Sequence, residues 1–339
     1  MLPEIRKDPL SGRWVIVAPD RAVRPQDLLA ANQGEKGLRP CPFCPGCEED
    51  TPNEVLALRA PGALPNDPNW RVRVIPNKFP AVIPDVPPAP LVWPELRSNG
   101  LPGVSLPGRG VHEVVIESRR HLHSNTQQSN AELAEVLAVY RQRLRQLETA
   151  GEWRYGLIFK NVGFAAGASL EHLHSQLVAL PIIPAAIEEA LRATYDYYQE
   201  HGRCYFCDLI QQEQRQAIRV VAESPGFIAI CPFASRFAYE TWIIPKSHAA
   251  GFSAAADESL SDLAQVLRSV LLKLERGLDQ PAYNFAIRTV PFDRLRAEHY
   301  HWHIEVFPRL TRLAGFELST DFYINIARPE DAATLLRQA

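Results

Sequence analysis

The residues best suited to chemistry in this chain are its six cysteines and ten histidines. Cys41/Cys44 and Cys204/Cys207 form two C-x-x-C pairs, Cys47 extends the first, and Cys231 sits in the apolar run FIAICPF (227–233). A two-residue gap lets both sulfurs face one tetrahedral ion, for which zinc is the usual occupant. Either pair alone could equally be a redox motif. Histidines follow each pair downstream, which favours zinc. Cys47 is a competing ligand candidate, and Cys231 reads as a small buried hydrophobe.

A second chemical feature is GASLEHLHSQLVALP (167–181). Read as a strand, its alternation puts His172, His174 and Gln176 on one face. The small residues Gly167, Ala168 and Ser169 form a loop whose backbone amides could approach a phosphate. An imidazole nitrogen can attack phosphorus and carry a nucleotidyl group covalently. The other ring nitrogen then needs a hydrogen-bond partner to fix the tautomer. An amide such as Gln176 can donate to a phosphoryl oxygen without adding a competing charge. The alternative is two satisfied histidines in a half-buried strand.

The elements that must position these groups repeat. In the first half Cys41 and Cys44 precede VRVIPNKFPAV (72–82), a strand-like HEVVIES (112–118) and His121. A helix follows, with Asn130 as cap and Leu133, Leu137, Tyr140, Leu144 and Leu147 on one face. The strand-like YGLIFKN (155–161) then leads to His172. In the second half Cys204 and Cys207 precede FIAICPF, TWIIP (241–245) and His248. A helix starting near Asp257 carries Leu260, Leu263, Leu267, Val270, Leu271 and Leu274 inward. YNFAIRTV (283–290) then leads to the triplet His299, His301 and His303. His121 to His172 spans 51 positions, and so does His248 to His299, which marks a duplication. A helical connector opened by Pro184 and ended by Gly202 joins the halves.

Length and composition agree. A chain of 339 residues suggests two units or one duplicated unit. With 46% hydrophobic and 22% charged residues, wholesale disorder is excluded. A net charge of -3 argues against a nucleic-acid partner. The start lacks the apolar core of a signal peptide and no run is long enough to span a bilayer, so a soluble, cytoplasmic protein without a membrane partner is expected. Seven prolines between Pro84 and Pro107 mark a long surface excursion.

These motifs carry a family likeness. DPLSGRWVIVAPDRAVRP (8–25), CPFC (41–44), NKFPAV (77–82), FKNVGFAAGASLEHLHSQ (159–176) and AGFELSTDFYINIARPEDAA (314–333) resemble the galactose-1-phosphate uridylyltransferase family of the histidine-triad superfamily. The resemblance spans nearly the whole chain. It implies an α+β protein, a duplicated histidine-triad fold of antiparallel sheets with packed helices. The halves would be 1–183, with the nucleophile and first zinc site, and 184–339, with the second; a homodimer is usual.

The resemblance further implies a double displacement. His174 would attack the α-phosphorus of UDP-glucose, expel glucose 1-phosphate and pass the uridylyl group to galactose 1-phosphate. Gln176 would hold the transferring phosphoryl oxygen, with Ser169 and Asn161 assisting beside Gly167. Arg21 and Arg24 would reach phosphates, Asn77 and Phe79 would seat the nucleoside, and Glu317 would touch hexose hydroxyls. Two structural zinc ions per chain would be held, the first by Cys41, Cys44, His121 and His172. Cys204, Cys207 and His248 would hold the second with His301, which the family pattern selects, or His299, which the repeat count selects. The second C-x-x-C pair resembles a two-zinc branch that includes ADP-sugar phosphorylases. The hexose-binding lysine expected before GFE is replaced by Thr311 or Arg312. Phosphorolysis of an ADP-sugar or dinucleoside polyphosphate is therefore the alternative activity, and a zinc-stapled nucleotide-binding protein the non-enzymatic one. His112, His123 and His201 read as surface residues.

Overall fold

Why the histidine-bearing strand can be held rigidly follows from the sheet beneath it. The computed structural model describes residues 2–7, 14–18, 41–88 and 104–339. In chain order, β1 (Glu4–Lys7), β2 (Trp14–Val17), β3 (Leu56–Arg59), β4 (Trp70–Pro76), β5 (Val104–Pro107) and β6 (Val111–Ile116) precede α1 (Asn130–Thr149). Then come β7 (Tyr155–Val162), β8 (His174–Leu180), α2 (Ala185–His201), α3 (Tyr205–Gln216), β9 (Val220–Glu223), β10 (Phe227–Ile230) and β11 (Thr241–Pro245). The chain closes with α4 (Asp257–Gly277), β12 (Tyr283–Arg288), β13 (His303–Pro308), α5 (Gly315–Thr320) and α6 (Pro329–Gln338).

Ten strands form one sheet in the order β3-β4-β6-β8-β7-β12-β13-β11-β10-β9. Every pairing in it is antiparallel. Read outward from the central β7–β12 pair, the two flanks have the same plan, β8-β6-β4-β3 and β13-β11-β10-β9. The duplicated motifs therefore lie about a local two-fold. A separate small sheet, β2-β1-β5, places the proline-containing strand β5 at its edge, where missing ladder donors are tolerated. Residues 89–103, most of the proline-rich segment, lie outside the described residues.

The two long helices cover one face. Leu133, Val136, Leu137, Tyr140, Leu144 and Leu147 of α1 are buried with Leu260, Leu263, Leu267, Val270, Leu271 and Leu274 of α4 in a single cluster shared by both halves. Each such leucine contributes about 1.5–3 kcal/mol by leaving water. The cap of α1 is Ser129 rather than Asn130: its side chain accepts from Glu132 N–H, and the Glu132 carboxylate accepts from Ser129 N–H. The connector α2 follows Pro184 and ends on Gly202 at φ +65°. Helix α3 has no counterpart in the sequence expectations. Its cap is Cys204 and its first turn carries Cys207, so the second C-x-x-C pair sits at a helix start.

Candidate active site

The first half gathers Cys41, Cys44, His121 and His172 so that one donor atom of each lies within 4.8 Å of the others. Cys44 Sγ is 3.4 Å from His121 Nδ1 and 3.6 Å from His172 Nδ1, and Cys41 Sγ is 3.7 Å from His172 Nδ1. These separations match the edges, roughly 3.3–3.8 Å, of a zinc tetrahedron with sulfur and nitrogen ligands. The donor set of two thiols and two imidazoles fits the same ion. His172 Nε2 lies 2.8 Å from the Ser118 carbonyl, which can only accept. The proton therefore sits on Nε2, and the Nδ1 lone pair faces the sulfurs. Burial pushes the His172 pKa down to about 4, so the ring is a neutral ligand. Burial, then the neighbouring Cys41, pushes the Cys44 thiol up to about 11, an obstacle that a bound dication removes.

The second half repeats this with Cys204, Cys207, His248 and His301. Cys207 Sγ is 3.5 Å from His248 Nδ1 and 3.8 Å from His301 Nδ1. His301 Nε2 is 2.7 Å from the Pro245 carbonyl, the same tautomer device as at His172. His299, selected by counting the repeat, is not in the cluster: its carbonyl accepts from Cys204 and its ring packs on Tyr195. The count fails because the second half carries two extra residues between its cluster histidines, 53 positions from His248 to His301 against 51. Cys47 lies outside both clusters and caps a short 3-10 turn. Cys231 is fully buried, as its apolar surroundings imply.

His174 opens β8 immediately after this anchor. Its Nδ1 is 2.7 Å from the His172 carbonyl, so Nδ1 carries the proton and Nε2 presents its lone pair. Burial first, with the Lys160 charge, lowers its pKa below the ordinary histidine value, which keeps the ring neutral. His172 itself precedes the strand rather than lying in it; strand and anchor meet at this hydrogen bond. Phe43, from between the cluster cysteines, packs edge-on against His174 at 5.4 Å. Below, the fully buried Lys160 pairs with Glu117 at 2.7 Å and donates to the His174 carbonyl at 3.1 Å. Burial raises the Glu117 pKa, but Lys160, Tyr140 and Asn125 outweigh it and hold the carboxyl below its usual range. Removing one member of such a pair typically costs about 3–5 kcal/mol.

The remaining expected site residues are distributed unequally. Asn161 accepts from Asn284 Nδ2 at 2.7 Å, and Asn284 also donates to the Ala166 carbonyl. Gly167 takes φ +85°. Two amides of the expected phosphate cradle are already used inside the loop, since Gly167 N–H donates to the Phe164 carbonyl and Ala168 N–H to the Gly163 carbonyl. Ser169 is exposed beside that loop. Asn77 accepts from Phe79 N–H at 2.9 Å, a local turn on the segment after β4. Glu317 caps its own helix α5 by accepting from Ala314 N–H. Arg21 and Arg24 lie outside the described residues.

A model of the galactose-1-phosphate uridyl transferase N-terminal domain matches residues 1–184. An Arabidopsis thaliana ADP-glucose phosphorylase is 36% identical over 99% of this chain and 93% of its own length. The chain belongs to the galactose-1-phosphate uridyl transferase family. A Thermotoga maritima galactose-1-phosphate uridylyltransferase is 29% identical over 99% of this chain and 98% of its own. The solved Arabidopsis thaliana ADP-glucose phosphorylase with bound ADP-glucose superposes with TM-score 0.77 at 34% identity, covering 100% of this chain and 99% of that one. A uridylyltransferase structure superposes with TM-score 0.81 at 29% identity over 99% and 98%. A domain-of-unknown-function model, DUF4921, also matches residues 108–338. The duplicated antiparallel fold is thus the fold of this uridyl transferase family.

One buried group of this family member escaped the sequence reading. His112 is 6% exposed rather than a surface residue, and its ring contacts Gln176. The signal was its place at the start of a strand whose register brings position 112 diagonal to 176.

Proposed function

We propose that the chain transfers a nucleoside monophosphoryl group from a nucleoside diphosphate hexose through a covalent adduct on His174. One observation carries the reading: a buried imidazole whose Nδ1 proton is fixed on the His172 carbonyl, leaving Nε2 unprotonated two residues from the neutral amide of Gln176. Nε2 bonds to the α-phosphorus as the phosphoanhydride bond breaks and hexose 1-phosphate leaves. An acceptor phosphate oxygen then bonds to that phosphorus, the N–P bond breaks, and the imidazole lone pair is restored. Gln176 donates to a non-bridging oxygen while charge develops there. Asn161 and Ser169 flank that oxygen beside Gly167. Arg21 and Arg24 hold the remaining phosphates, Asn77 and Phe79 the nucleoside and Glu317 the hexose.

Each Cys₂His₂ cluster would hold one zinc ion through four protein ligands, a donor set suited to a structural rather than a water-activating metal. His172 thus couples the first metal to the nucleophile through its own carbonyl. Residues 1–183 form the nucleotidyl-carrying domain and 184–339 its duplicated partner.

Two donor–acceptor pairs fit the same histidine. UDP-glucose with galactose 1-phosphate is supported by the family model and the Thermotoga maritima relative. ADP-glucose with phosphate is supported by the higher identity of the Arabidopsis thaliana phosphorylase and by Thr311 and Arg312 in place of a hexose-binding lysine. Incubation with each pair, followed by assay of hexose 1-phosphate, distinguishes them; release from neither overturns the transferase reading. No helix among the described residues is long and apolar enough to cross a membrane. Six cysteines without a disulfide suit a reducing cytoplasm. A homodimer is supported by exposed Leu318, Phe322, Ile324 and Ile326 and is tested by sedimentation velocity.

A further inference from the structure

His112 sits on β6 one diagonal step from Gln176 of β8: Val114 is opposite Gln176, and His112 is opposite Val178. The hydrogen bonds around its ring determine its protonation. Ala81 N–H points at Nδ1 from 2.9 Å. A backbone amide can only donate, so Nδ1 is unprotonated and, in the neutral ring, the proton is on Nε2. Nε2 lies 2.9 Å from Gln176 Oε1. That bond therefore runs from His112 to Gln176, and the Gln176 carbonyl end is occupied. The two hydrogens of Gln176 Nε2 are left pointing away from His112. Asn77 Nδ2 is also 3.1 Å from His112 Nε2, but both are donors, so this contact is not a hydrogen bond. Asn77 N–H donates to the His112 carbonyl at 2.8 Å, which ties the same segment to the strand a second time.

We infer that His112 is a positioning residue that fixes the amide orientation of Gln176 and links it to the segment 77–81. The inference rests on the proposed transfer through His174, in which Gln176 must present its NH₂ end to the phosphoryl oxygen. A flipped Gln176 would turn a carbonyl oxygen toward a developing negative charge. In the Nε2–H tautomer His112 opposes that flip, because a flipped amide would lose the His112 hydrogen bond and set a second donor beside Asn77 Nδ2 against the same N–H. The segment that sets the tautomer, Asn77 to Ala81, is the one assigned to the nucleoside, so seating the base and orienting the phosphoryl donor are parts of one hydrogen-bonded unit.

A double-mutant cycle tests the inference. The readout is the single-turnover rate constant for adduct formation at saturating ADP-glucose or UDP-glucose, whichever reacts. His112→Phe is expected to lower it by roughly 10–100-fold, less than the roughly 10²–10³-fold that outright loss of an oxyanion donor costs, because Gln176 remains but is no longer held, with zinc content and the KM for donor little changed. In the Gln176→Ala background His112→Phe is expected to have no further effect, since its action runs through the amide. His112→Gln, which can place an N–H donor near the lost Nε2, is expected to recover most of the rate. Should His112→Phe not fold, His112→Asn, whose amide stops short of Gln176, takes its place. Equal rate losses in the two backgrounds, or no loss at all, would overturn the inference. The tautomer has its own readout: ¹⁵N-edited spectra of the wild-type protein should show His112 protonated at Nε2. An Nδ1–H signature sinks the positioning argument, whereas absence of any adduct in the wild type sinks the transferase reading.

Discussion

The two halves set a histidine at the same place on equivalent strands and surround it differently. Both histidines follow a cluster histidine by two residues, and both turn Nδ1 toward that residue's carbonyl, at 2.7 Å for His174 and 3.2 Å for His303. Both have a phenylalanine from a C-x-x-C pair against the ring, Phe43 and Phe206. Two residues further on, the first half has the neutral amide Gln176 and the second the carboxylate Glu305. Glu305 is 3.6 Å from His303 Nε2 and 3.1 and 3.0 Å from Arg288 and Arg236. Burial raises its pKa, but His303 and the two arginines hold the carboxyl well below its usual range, so the charge persists. The position held by His112 on β6 is held by Glu240 before β11, which Arg236 bridges to Glu305. The metal cluster and the strand are common to both halves, and what differs is the group beside the histidine. On the proposed transfer through His174, the neutral amide is what suits the first half to a phosphoryl group, whereas the Glu305 charge beside His303 would repel phosphate and is already paired with two arginines.

The comparison breaks most sharply at the histidines. His174→Ala should abolish turnover, a loss of about 10⁴-fold or more, while His303→Ala should leave the rate within about twofold; steady-state assay of both decides. Next, Gln176→Glu makes the first half chemically like the second. It is expected to cost roughly 10²–10³-fold in adduct formation by placing like charge against the phosphoryl group, measured by single-turnover kinetics on protein with unchanged zinc content.

The clusters come third. His172→Ala should lose one metal equivalent by mass spectrometry and lose activity with it, because the nucleophile's anchor goes too. Cys207→Ala should lose the other equivalent and, because metal binding free energy is folding free energy, lower the urea midpoint, yet retain adduct formation in the molecules that stay folded. Equal kinetic damage from the two variants would erase the distinction between the halves. The smallest effect belongs to Glu305→Gln, which removes the carboxylate charge from partly buried Arg288 and leaves Arg236 with Glu240 alone. It is expected to destabilise by about 1–3 kcal/mol in urea unfolding without creating a second adduct.

Much of this arrangement is legible before any coordinates. The two clusters can be grouped because cysteine pairs and downstream histidines recur in order, and a duplicated plan must place them equivalently about the sheet. His174 and Gln176 declare themselves by alternation after a small-residue loop. What stays hidden depends on distances between strands. His112 is one histidine at the start of a strand, and only the β6–β8 register reveals its partner. The count to His299 assumes equal loops, and two extra residues after β12 defeat it. The loop of Gly167 and Ala168 looks receptive because glycine frees the backbone, but its amides close a tight turn on Gly163 and Phe164. Helix α3 is disguised by the metal-binding spacing at its start, which reads as a loop until Cys204 is seen to cap it.

The most direct test of the central claim is intact-protein mass spectrometry after rapid acid-free quenching with ADP-glucose and, separately, UDP-glucose, followed by peptide mapping. The expected result is a mass increase of one nucleoside monophosphate residue per chain, located on His174, labile to acid, stable to base and missing from His174→Ala. An adduct on another residue, or turnover with either donor while His174 is alanine, would contradict it.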